Sequence, residues 1–176
     1  MKIKMKKLIS IKSMPLFTLA LLVFFGTALA ASREPVSISG VVNLSTFAGT
    51  ATVTIADEEL VGIVQVIPVG GMVPKDGGLY FPVVEHWFMF PDADNPMDIL
   101  ITTGEEFIMP TDEDPTVSTL HGNMEIIPQS ALPEGPSATG KFEGVSGELR
   151  VNGKFNSPPG KASFSANGAV FGYDGD

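Results

Sequence analysis

The chain has 176 residues, with 20 acidic side chains against 11 basic ones and no cysteine. Five of the basic residues fall within the first 30 positions, which hold no acid, so the remainder carries six basic against 20 acidic residues, a net charge of −14. A surface this negative repels phosphate backbones and anionic lipid heads, which argues against nucleic-acid and peripheral membrane partners. Without cysteine there is no disulfide, no thiol nucleophile and no thiolate metal site.

Residues 1–30 read as a cleaved signal peptide. Lys2, Lys4, Lys6, Lys7 and Lys12 form a basic leader, Pro15 to Ala28 is apolar, and Ala28-Leu29-Ala30 supplies a small-residue cleavage site after Ala30. The apolar run is shorter than the ~20 residues a membrane-crossing helix needs. The expectation is a secreted or periplasmic protein with no membrane span after cleavage, its residues 31–176 forming a single domain.

Helical periodicity is nearly absent beyond the leader, and strand signals recur throughout. The spacing predicts strands over 36–45, 49–57, 60–68, 79–90, 97–108, 116–128, 140–155 (broken near Gly144) and 161–172. Ala51, Val53 and Ile55 alternate with Thr52 and Thr54, and Ala162, Phe164 and Ala166 alternate with Ser163 and Ser165. This is the pattern of a sheet with one dry face. Two runs, Leu60 to Ile67 and Val83 to Phe90, are apolar on both faces, which suits strands that line an apolar cavity or lie between layers. Gly70-Gly71, Pro74 to Gly78, Pro91 to Pro96, Thr111 to Pro115, Pro133 to Pro136 and Pro158-Pro159-Gly160 separate the strands as turns. Eight short antiparallel strands joined in sequence predict an all-β fold, a single antiparallel eight-stranded barrel or alternatively a two-sheet β-sandwich. Closure is favoured because it removes exposed edges from a chain without disulfides.

The segment Thr139-Gly140-Lys141-Phe142-Glu143-Gly144-Val145-Ser146-Gly147 is the most distinctive. Gly140, Gly144 and Gly147 allow backbone angles or close approaches that a Cβ forbids, and Phe142 is an apolar plug between them, as at a bulged strand corner that helps a sheet close. Its spacing differs from phosphate-binding loops, and no helix is predicted after it. The Gly-x-Phe-x-Gly-x-x-Gly pattern resembles a signature near the C-terminus of allene-oxide-cyclase-like and dirigent-like β-barrels, and more closely that of uncharacterised secreted bacterial proteins. Glu85 to Phe90, Ile101 to Thr103 and Val117 to Ile126 are similar to the strands that precede it. The resemblance implies an eight-stranded barrel with a partly apolar interior, which in the plant relatives steers cyclisation or coupling of small hydrophobic molecules. Those relatives often form trimers or dimers, so it also implies a homo-oligomer, although no residue here establishes one.

Candidate chemistry is sparse. The two histidines, His86 and His121, lie in no nucleophile motif. Strict alternation places His86, Phe88 and Phe90 on one face of their strand, where a cavity-lining histidine would serve as acid or base. One of Glu105 and Glu106 should point inward, with Arg150 as its candidate partner, since an unpaired inward carboxylate is expensive. The cavity candidates are therefore His86, Phe88, Phe90, Glu105 and Arg150. Asp92, Asp94, Asn95 and Asp98 place oxygen ligands in one turn and make a weak calcium candidate, though the pattern departs from an EF-hand. No other cofactor is expected. The expectation is a non-enzymatic barrel binding a hydrophobic small molecule or a partner protein; the alternatives are a cyclase or isomerase acting inside the barrel and a structural or adhesive surface protein.

Overall fold

The computed structural model describes residues 32–91 and 97–175. The expected signal peptide and three of the four calcium candidates, Asp92, Asp94 and Asn95, lie outside the described residues.

Nine strands follow one another: β1 (Arg33–Asn43), β2 (Ala48–Ile55), β3 (Glu58–Pro68), β4 (Val73–Lys75), β5 (Gly78–Phe90), β6 (Asp98–Pro110), β7 (Ser118–Ile127), β8 (Ser146–Phe155) and β9 (Lys161–Phe171). Every pairing is antiparallel. β3 closes onto β5 from Ile63↔Met89 to Pro68↔Val84, and β1 closes onto β9 along its whole length. Eight strands thus form a closed up-and-down barrel, and the three-residue β4 is an extra strand hairpinned onto the start of β5. The barrel reading holds over the sandwich because these two closing pairings leave no second sheet.

Alternation along each strand sorts the side chains. Val36, Ile38 and Val42, then Ala51, Val53 and Ile55, then Leu149 and Val151, then Phe164, Ala166 and Val170 point inward and form one core. Outside stand Ser37, Ser39, Thr50, Asn123, Glu125, Glu148, Arg150, Asn152 and Asn167. The outer face is polar over these strands, whereas β3 exposes Val61 and Ile63. Burying each large inward side chain stabilises the fold by about 1.5–3 kcal/mol.

The predicted strand over 140–155 begins only at Ser146; Gly140–Phe142 is a single 3-10 turn instead. Gly140 and Gly144 have φ of +60° and +77°, which no strand accommodates. A Cβ on Gly140 would overlap the Asp98 carboxylate, 1.7 Å from Oδ1. The turn tucks Phe142 into one end of the barrel with no exposed surface, its ring 5.6 Å from that of Phe90 and 6.0 Å from that of Tyr173. Gly147 follows in β8, close against the carbonyl of Ala169. The motif is therefore an end plug rather than a strand corner.

The same end is tied by polar groups. Tyr173 Oη donates to Glu58 Oε2 at 2.6 Å, and Lys141 Nζ donates to Glu58 Oε1. The Lys141 and Tyr173 hydrogen bonds hold the Glu58 carboxyl below its ordinary pKa. Residues 128–139 form a strap on the outer wall. It is pinned by Glu85, which has no exposed surface and accepts from Trp87 Nε1 (2.8 Å), Ser130 Oγ (2.6 Å) and the Ala131 amide (2.8 Å).

Candidate functional site

The end opposite Phe142 is built differently. Here β1, β3, β6 and β8 finish and β2, β5, β7 and β9 begin. The register of β5 against β6 slips between Phe81 and Val84, at a bulge containing Pro82, whose missing N–H cannot serve the ladder. The slip lets both Phe81 and Val84 face the interior. With Leu44, Phe47, Val66, Pro68, Phe155 and Ala162 they make the rim of an apolar cup, and His86, Glu106, Leu120 and Phe164 line it further. Phe47, in a left-handed conformation at φ +53°, stands at the rim and remains 38 % exposed.

The cup is small. Its free volume is about 30 Å³, and a second hollow beyond His86, walled by Phe88, Thr102, Met124 and Phe164, adds about 10 Å³. The first accommodates roughly one water molecule. The interior is thus a packed barrel with a shallow apolar mouth, not an open channel.

Two ionisable groups lie in this apolar surround. His86 and Glu106 are each 4 % exposed, and His86 Nε2 stands 3.4 Å from Glu106 Oε1. That distance fits an ion pair, but Oε1 has no hydrogen-bond partner among the described residues. Burial pushes Glu106 up to about 7 and His86 down to about 4. Both shifts favour the uncharged forms and so oppose the ion pair that proximity alone suggests. Close to neutral pH the histidine is neutral and Glu106 sits near its own midpoint. The pair has one acid and one base within reach of each other, facing an apolar space.

Of the cavity candidates, His86 and Phe88 do face the interior, their rings 6.0 Å apart and stacked. Phe90 is also interior, but beside the Phe142 plug. Glu105 and Arg150 do not line the cavity. The period of two that turns Glu106 inward turns Glu105 out, where its Oε2 accepts from Tyr80 Oη at 2.8 Å. Arg150 is exposed on the outer wall, in register between Asn123 and Asn167, so it cannot neutralise Glu106. His121 is exposed, its Nδ1 2.9 Å from Asn152 Oδ1.

Asp98, the described member of the calcium candidates, is buried at the plugged end with the Lys141 amide 3.4 Å from its Oδ1. No cluster of three or more metal-binding side chains occurs among the described residues. Phe81, Leu120, Phe155 and Phe164 complete the cup, and no sequence motif singles them out. Their common signal is parity: each falls in step with a neighbouring core residue on its strand, except Phe81, which the bulge shifts.

No family model matches the chain, and searches of curated proteins and of solved structures return no match either.

Proposed function

We propose that the chain is an exported binding protein whose barrel takes one end of a small hydrophobic molecule into the cup at its unplugged end. The observation that carries this reading is a buried carboxyl oxygen, Glu106 Oε1, left without a hydrogen-bond partner among the described residues in an otherwise apolar hollow. Such groups are costly and rare in a purely structural core. One barrel end is stoppered by Phe142 and Tyr173 while the other ends in exposed aromatic surface, which gives a ligand one way in. The likeness of the Gly140–Gly147 segment to allene-oxide-cyclase-like and dirigent-like barrels supports the same reading.

A fluorescent apolar probe titrated into the purified protein tests it. Saturable binding is expected, and Ala162→Phe, which fills the cup from its rim, should abolish it. Binding that never saturates, or that survives Ala162→Phe unchanged, would defeat the reading.

A second reading is favoured by one observation, the 3.4 Å approach of His86 to Glu106. Adjacent acid and base groups of unlike pKa are what proton transfer in an isomerase or cyclase requires. On that reading protonated Glu106 donates a proton to the substrate while neutral His86 abstracts one from it, the proton then passes from His86 back to Glu106 across the 3.4 Å contact, and turnover disappears in Glu106→Gln while ligand binding persists.

A further inference from the structure

Among the described residues, no counter-charge meets Glu106. The one base that reaches it, His86, is held neutral by burial. Neither arginine reaches it: Arg150 is on the outer wall and Arg33 opens β1 at the far end of the barrel. No described lysine lines the cup. The other lining groups are apolar, and four of them, Phe47, Phe81, Phe155 and Phe164, are phenylalanines. Aromatic ring faces attract cations, more strongly where water is excluded. Residues 31–176 carry a net charge of −14, which concentrates cations and repels carboxylates at every approach.

We propose, resting on the cup as a binding site, that its ligand is an apolar ammonium ion, an alkyl- or arylalkylamine whose charged head meets Glu106 and whose carbons run out past the phenylalanines of the rim. The ligand supplies the charge that the fold withholds. A carboxylate head would instead face Glu106 as a like charge in an apolar surround, and an alcohol would satisfy one hydrogen bond with no charge gained. The free volume of about 30 Å³ admits only a compact head, so a longer tail lies along the rim past Phe47.

A series of six-carbon ligands that differ in their head group separates these cases. n-Hexylamine, 1-hexanol and hexanoate, titrated into the purified protein near pH 7 and followed by amide NMR shifts, should rank in that order. The amine should lead the alcohol by on the order of tenfold. Glu106→Gln should reduce that lead to within about threefold. This variant retains the other acidic residues, so it controls for amines gathered at the acidic surface. If 1-hexanol binds as tightly as n-hexylamine, or the lead persists in Glu106→Gln, the ammonium assignment fails while the apolar cup stands. If none of the three shifts the resonances of cup residues, the cup itself fails and takes the assignment with it.

Discussion

The Glu106 carboxyl can be tested sharply because two readings of the same 3.4 Å contact predict stability changes of opposite sign. Consider Glu106→Gln, which keeps the shape and removes the ionisation. In the folded protein Glu106 titrates near 7, whereas in the unfolded chain it returns to about 4.5. A folded pKa raised above the unfolded one means the unfolded state loses its proton first. The native state is therefore progressively disfavoured as pH rises from about 4.5 to about 7, and the loss is complete above that. A tenfold change in proton affinity corresponds to about 1.4 kcal/mol, so the full effect is on the order of 3 kcal/mol. Glutamine does not ionise and escapes this loss entirely. Glu106→Gln should match the parent near pH 4.5 and exceed its stability by about 3 kcal/mol at pH 8. Urea unfolding at several pH values reads this directly, as a shift in midpoint at constant slope. A His86–Glu106 ion pair predicts the opposite, since removing one partner of a buried pair costs about 3–5 kcal/mol. A variant less stable than the parent at neutral pH, or a difference that does not vary with pH, would refute the neutral pair.

Three further outcomes follow from other parts of the barrel. His86→Gln removes a group whose folded pKa of about 4 lies below its ordinary 6.5, so its titration strengthens the native state as pH rises through that window. Relative to the parent, the variant should therefore gain stability as pH falls from about 6.5 to about 4, again by urea unfolding. Phe142→Ala should destabilise by about 3–5 kcal/mol, because the ring fills the barrel end without exposed surface. Differential scanning calorimetry reads the loss, and a drop under about 1 kcal/mol would mean the plug does not seal the core. Glu85→Ala leaves three donors unpaired beneath the strap, a cost on the order of 2–3 kcal/mol. The Ala131 amide should then exchange its hydrogen faster and the 128–139 segment become a protease site; unchanged exchange there would show that the strap is held by other contacts.

What the sequence makes legible is set by how local the cause is. The period of two in β2, β8 and β9 is local, so strands and their dry faces can be read directly, and the number of strands with short turns already points to closure. The inward side of His86 and Phe88 follows from the same alternation. Choosing between Glu105 and Glu106 needs one step more. Leu100 and Ile108 share parity with Glu106, but β6 is apolar on its outer side too, at Ile99, Ile101 and Phe107, so the strand alone does not say which face is the core. The outer apolar residues there have their own cause, since Ile101 is fully buried on a wall that also carries Glu85 and its strap. Arg150 is misplaced as a partner for the corresponding reason: complementary charge suggests a pair, but its parity with Glu148 and Asn152 puts it on the wet face. β4 escapes prediction because three residues with a central proline carry no periodicity, and the turn at Gly140–Phe142 looks like strand until the positive φ of its glycines is known.

The two ends of the barrel differ because of what the connecting segments bring. At the plugged end, the link from β7 to β8 is long enough to fold the Phe142 turn back across the opening, and the tail after β9 adds Tyr173. At the other end, the β1–β2 link brings Leu44 and Phe47 to the rim, and no residue of the β3–β5, β6–β7 or β8–β9 links lines the cup. The inward positions nearest that opening must then be closed by the strands themselves. The chain places Glu106 and His86 there, with Leu120 and Phe164, where one more leucine in place of Glu106 would avoid the desolvation of a carboxyl. An inward carboxyl at the end that no described segment stoppers is a sacrifice of stability at a place a ligand can reach, and that coincidence links the barrel's construction to its proposed use.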